Sequence, residues 1–182
     1  MSRLNVMLLF LVSVTYYGVF FLNEELFSSL DYTDHVNWIF LPSGMILGFV
    51  LVLEEIGALG IFMASLVINL QIHTNETIWV GVVTSLISAI TPMIARQICT
   101  HWIGLDQDLR DLNSKKIIEC SIIFALISSA IHQLWFHYEK LDETFIADLW
   151  AMFVGDVSGS LLVLFLGVYS TKLYRYTRDR LR

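Results

Sequence analysis

Long apolar runs broken by short polar clusters set the pattern of this chain. A membrane-crossing helix needs about 20 apolar residues to span roughly 30 Å of hydrocarbon at about 1.5 Å per residue. Six stretches approach that length: Leu4–Leu22, Trp38–Leu53, Ile56–Ile72, Ile78–Ala95, Ile117–Phe136 and Phe145–Thr171. The second and third, 16 and 17 residues long, are separated only by Glu54-Glu55, which predicts a tight helical hairpin. The expected fold is an all-α integral membrane protein, one membrane domain over residues 1–182 with about six transmembrane helices.

Composition excludes a soluble domain of this size: 56% of the 182 residues are apolar and 15% charged, with a mean hydropathy of +0.67. No segment between spans exceeds about 21 residues, which leaves no room for a kinase, a cyclase or a soluble binding domain. Activity is therefore expected inside the bilayer or through other chains. The basic residues orient the spans. With the N-terminus in the cytoplasm, ten fall inside (Arg3, Arg96, Arg110, Lys115, Lys116, Lys172, Arg175, Arg178, Arg180, Arg182) and only Lys140 outside. Both termini are thus expected in the cytoplasm, in a multi-pass membrane protein. The outer segments are acidic instead, with Glu24, Glu25, Asp31, Asp34, Glu76, Glu139, Asp142 and Glu143.

Other features adjust this outline. The first run follows Arg3 as a signal peptide would, but no small-x-small pattern surrounds Leu22-Asn23-Glu24, so it reads as a retained span. Cys99 and Cys120 flank the inner loop, where reduced thiols are the default. The loop Arg96–Lys116 mixes signs around Trp102 and predicts a short interfacial helix. The basic tail from Tyr174 to Arg182 suits anionic lipid headgroups at about 1 kcal/mol per basic residue. It is too short to suggest a nucleic-acid partner.

The chemistry concentrates in a few polar residues. Asp156 lies in an otherwise apolar run between Gly155 and Gly159, where a carboxylate costs about 2.5–3.5 kcal/mol at a membrane helix centre. The flanking glycines form a groove into which another backbone can settle, which points Asp156 toward protein. Counted from the outer ends of their spans, Pro42, Ser43, Gly44, Asn69, His132, Gln133 and Asp156 share one layer in the outer third. Three roles stand open for Asp156: a structural pair with His132 or Arg96, a ligand or proton site, or a water-exposed helix entrance. A His–Asp pair at this depth would titrate near neutral pH and sense acidity outside.

Pro42 either kinks the second span, packed through Gly44 and Gly48, or starts a helix there after an irregular segment buried in protein. Glu54 and Glu55 are a solvated hairpin tip or a contact for a cytoplasmic partner. Metal-ligand spacings are absent, and only His132 lies well inside a span, which argues against haem. Ser158 and His132 lack any oxyanion-hole signature, so neither an enzyme nor a cofactor is expected.

Two stretches carry a family resemblance. Leu41-Pro42-Ser43-Gly44-Met45, with the hairpin to Gly57-Ala58-Leu59-Gly60-Ile61-Phe62, resembles the early spans of MASE1, a bacterial integral membrane sensory domain. Trp150-Ala151-Met152-Phe153-Val154-Gly155-Asp156-Val157-Ser158-Gly159 is similar to that family's late aromatic-rich span with its Gly-Asp-x-x-Gly core. The resemblance covers roughly residues 35–170 and places Pro42, Ser43, Gly44, Gly155, Asp156 and Gly159 at the matching positions. It implies signal reception ahead of a kinase, cyclase or phosphodiesterase module. With six spans where the family commonly has more, and no such module, the chain is expected to relay to another membrane or cytoplasmic signalling protein. The expected function is a sensory or ligand-binding protein of the bacterial inner membrane, with its polar site in the periplasmic third. The alternatives are a substrate-binding transporter subunit and a structural or assembly subunit.

Overall fold

The computed structural model describes residues 2–28, 31–33, 36–72, 77–141 and 144–180. The acidic positions Asp34, Glu76, Asp142 and Glu143, and the terminal Arg182, lie outside the described residues. Five helices account for most of the chain: α1 (Arg3–Phe27), α2 (Leu41–Ile72), α3 (Ile78–Trp102), α4 (Ser114–Glu139) and α5 (Phe145–Arg180). All five are long and apolar enough to cross a membrane, and the chain is a multi-pass membrane protein.

The second helix is not straight. Glu54 breaks it with φ 51° and ψ −121°, a backbone region that glycine tolerates better than glutamate. A Cβ added to Gly57 would lie 2.5 Å from the Phe49 carbonyl oxygen. Residues eight apart in an unbroken helix would be about 12 Å apart. The chain therefore doubles back at Glu54, and α2 consists of a first arm (41–53) and a second arm (55–72) packed on each other. Gly57 is required here, because the returning arm runs directly over the backbone of Phe49 and Val50.

Hydrogen bonds fix the directions of the other helices. Ser13 Oγ donates to Gly60 O at 2.9 Å and Tyr17 Oη to Gln71 Oε1 at 2.9 Å, so α1 runs alongside the second arm in the same sense. Asn69 bonds Ser85 near one end of α3 while Arg96 pairs with Glu54 near the other, so α3 returns antiparallel. Trp135 Nε1 donates to Thr84 Oγ1 at 3.1 Å, which sets α4 antiparallel to α3 in turn. Central α2 contacts α1, α3 and α5. Peripheral α1 leaves Leu4, Met7, Phe10 and Val14 exposed, as a lipid-facing helix requires. Around α2 gather the fully buried Leu47, Val50, Ile61 and Val12, with Phe124 beyond them.

Three details differ from the sequence expectation. The second apolar run starts its helix at Leu41 instead of Trp38, since Pro42 favours a helix start and Asn23 Oδ1 accepts the Leu41 N–H at 2.8 Å. The preceding segment holds a short antiparallel pair, β1 (Asp31–Thr33) and β2 (Val36–Asn37). No separate helix forms between Arg96 and Lys116: α3 runs to Trp102, α4 starts at Ser114, and the connection turns through Gly104 (φ 64°) and Leu109 (φ 58°).

That connection is tied by charge. Lys116 donates to Gly104 O at 2.7 Å and pairs with Asp111, whose carboxyl the ammonium holds below the usual aspartate range. At the same end, α5 carries on to Arg180, so the described part of the basic tail prolongs the helix.

Candidate functional site

Asp156 stands where two different surfaces of α5 meet. On one, Gly155 and Gly159 take the chain that leads into α2. A Cβ on Gly155 would collide with the Asn37 carbonyl oxygen, and one on Gly159 with that of Phe40. Phe40 N donates to Gly155 O at 3.2 Å, and Ser158 Oγ to Trp38 O at 3.1 Å. Backbone thus lies directly on backbone, and the non-helical segment before Pro42 finds its hydrogen-bond partners in protein. One turn further, a Cβ on Gly44 would meet Val163 Cβ at 2.5 Å and Gly159 O at 2.7 Å. Gly48 is less confined, its nearest neighbour the flexible Leu164 tip at 3.3 Å.

Ser43 belongs to this seam. Its hydroxyl lies 2.7 Å from Phe40 O, 2.9 Å from the Asp156 carbonyl oxygen and 3.3 Å from Ser160 Oγ. It is fully buried and does not line the cavity described next.

On the other side, the Asp156 carboxyl, 2% exposed, borders a cavity of about 140 Å³. The walls come from α1 (Tyr16, Phe20), the second arm of α2 (Asn69), α3 (Ser88, Thr91) and α4 (His132). It extends from Glu24, Asn37 and Ile72, at the loop end, to Thr91 and Ile46 deeper in the bundle. Pro92 follows Thr91 inside α3, and its missing N–H withdraws the usual partner of the Ser88 carbonyl beside the cavity.

The histidine is held from two helices. Nδ1 lies 2.9 Å from the Ser128 carbonyl oxygen, and since a carbonyl only accepts, Nδ1 carries the hydrogen. Nε2 faces Ser88 Oγ at 3.2 Å, whose single proton is shared between the ring and Thr84 O at 3.0 Å. The Ser128 hydroxyl, 3.5 Å from His132 Nδ1, also stands beside the Asp156 carboxyl. Ser128 therefore links histidine and aspartate, and no direct hydrogen bond joins them among the described residues. Asp156 Oδ2 is buried with no hydrogen-bond partner, as is Thr91 Oγ1. Two of the three possibilities for Asp156 change accordingly. Arg96 is bound to Glu54 and to the Gln107 carbonyl, far along α3 from this layer, so it is not the partner. A water-exposed helix entrance is excluded by burial.

The remaining predicted residues separate by the direction they face. Asn69 lines the cavity, donating through Nδ2 to Ser65 O at 2.9 Å and to Ser85 Oγ at 3.2 Å. Gln133, next to His132 in sequence, points away toward α5, with Nε2 3.6 Å from Met152 Sδ and Oε1 without a partner. Glu54 is committed to Arg96, and Glu55 is exposed. Four contributors were not anticipated: Tyr16, Ser88, Thr91 and Ser128. Ser128 and His132, like Ser65 and Asn69, sit four apart on one helix face, a spacing visible in the sequence.

No family model, curated protein or solved structure matches this chain. Among the described residues, no group of three His, Cys, Asp or Glu side chains is placed to hold a metal ion. Cys99 and Cys120 are buried and unbridged.

Proposed function

We propose that this is a six-span protein of the bacterial inner membrane, with both termini in the cytoplasm, that binds a small ligand from the outer side and passes a helix rearrangement to a partner protein. The cavity beneath Glu24, Asn37 and Ile72, with Asp156 on its wall and one of that carboxyl's oxygens, Oδ2, unpartnered, is the observation that carries the reading. The six-span count draws support from the reversal at Glu54, which makes two passes of α2. The orientation draws support from Arg96, Lys115 and Lys116 at the Glu54 end and the acidic Glu24 at the other.

The coupling is built into one residue. Asp156 offers its carboxyl to the cavity and its carbonyl to Ser43, which ties the first arm of α2 to α5. A ligand that binds one packing of this seam more tightly than another shifts the equilibrium between them by that difference in affinity. The two stretches that resemble MASE1 are the two sides of this seam, which supports a sensory reading over a purely structural one.

The test is thiol labelling of a single Asn69→Cys variant, with Cys99 and Cys120 replaced by alanine, in right-side-out and inside-out vesicles. A charged, impermeant reagent is expected to label only the right-side-out preparation. Labelling from both sides would favour the transporter alternative, and labelling from neither would end the proposal.

A further inference from the structure

The chemistry of the cavity wall is one-sided. The Asp156 carboxyl group stands on it, and no lysine or arginine borders it among the described residues. Its one basic group, His132, has both ring nitrogens engaged by Ser128 and Ser88. What the wall leaves over is polar capacity without partners, an Asp156 carboxyl oxygen and the Thr91 hydroxyl, which can donate or accept. Asp156 Oδ2 and Thr91 Oγ1 are unpartnered on side chains 2% and 1% exposed. Asn69 spends its amide hydrogens on Ser65 and Ser85, so its carbonyl oxygen is the group that remains. Buried acceptors without donors are costly, so a ligand that supplies N–H groups is favoured over one that does not. Three aromatic side chains, Tyr16, Phe20 and Phe136, add apolar surface to the wall.

Resting on the ligand-binding reading above, we infer that the cavity takes a small primary alkylammonium ion. Its ammonium group lies at Asp156 and Thr91, and its alkyl portion lies against Tyr16, Phe20 and Phe136. The volume of about 140 Å³ is close to the roughly 150 Å³ that accommodates benzene in an engineered protein cavity, so about six heavy atoms fit. A carboxylate ligand would meet Asp156 with like charge. An alcohol brings one donor and no charge to Asp156, and a quaternary ammonium has no N–H to give.

Full-length protein in zwitterionic nanodiscs, titrated calorimetrically with butylammonium, tetramethylammonium, 1-butanol and butyrate, tests this. Butylammonium is expected to bind tightest. Asp156→Asn is expected to weaken it by about tenfold or more, through loss of a charge-assisted hydrogen bond. Thr91→Val, nearly isosteric, is expected to weaken it severalfold, and it decides the matter if the Asp156 variant does not fold. Butyrate or 1-butanol binding as tightly as butylammonium would overturn the inference, as would undiminished butylammonium binding in Thr91→Val. Outer-side labelling at Asn69→Cys without butylammonium binding would overturn the cation and leave the ligand-binding reading intact, whereas no labelling from either side overturns both.

Discussion

The seam between α5 and the first arm of α2 and the cavity among α1, α2, α3, α4 and α5 meet at Asp156, the one built on glycines and the other on hydroxyl-bearing and aromatic side chains. In the seam, Gly44, Gly155 and Gly159 remove side chains so that backbones touch and carbonyls find donors. Around the cavity, Ser88, Thr91 and Ser128 supply hydroxyls, and some polar capacity is left unspent. The first arrangement is what a membrane interior rewards, since association there depends on close packing and hydrogen bonds in place of a hydrophobic drive. The second costs stability, since buried polar atoms without partners are unfavourable. One residue serves both, through its backbone on one side and its side chain on the other.

Substitutions can separate the two surfaces. The largest effect is expected at Gly159→Val, where the new side chain drives into the Phe40 carbonyl and Ser43 Oγ and neither backbone can yield. A loss of about 3 kcal/mol, the top of the overpacking range, should appear in denaturant unfolding of the detergent-solubilised protein. An unchanged midpoint would mean that the seam does not hold the helices together. Ser43→Ala removes the hydroxyl bridging Phe40, Asp156 and Ser160, and the same unfolding measurement should register about 1–2 kcal/mol.

On the cavity side the sign differs. Thr91→Val deletes a buried hydroxyl with no partner and is expected to leave stability unchanged or raise it by up to about 1 kcal/mol. A clear destabilisation would show that Thr91 has a structural duty and is not a spare acceptor. The smallest effect is expected at Gly48→Ala, in the seam but facing only the flexible Leu164 tip at 3.3 Å. Crowding should be offset by the helix preference of alanine, about 1 kcal/mol over glycine, for a thermal midpoint near wild type. If Gly48→Ala is as harmful as Gly159→Val, the seam is uniformly tight and the gradation argued from its contacts fails.

Depth was legible in the sequence because helices advance by a constant rise, so counting from span ends put Ser43, Asn69, His132, Gln133 and Asp156 in one layer. Direction was not. His132 and Gln133 are adjacent, hence about 100° apart around α4, and only the first faces the cavity. Ser43 is level with Asp156 yet meets its carbonyl instead of its carboxyl, because the first arm of α2 presents its glycine face to α5. Tyr16, inside the first apolar run, and Asn23, just past its end, carry no partner information in the sequence. Their burial follows from where α1 docks on α2.

By itself the sequence determined the apolar runs that become the five long helices, the break between Leu53 and Gly57, the close-packing glycines on α5 and the expense of Asp156. These follow from local composition and from the rule that backbone in lipid must satisfy itself. Tertiary structure alone decided that the chain at 37–40 fills the glycine groove, that Arg96 goes to Glu54, and that Ser128 stands between His132 and Asp156. Those outcomes depend on the rotation of each helix about its axis. A turn of one residue exchanges a wall of the cavity for a contact in the seam, and the mutual packing of α2, α3, α4 and α5 selects between them.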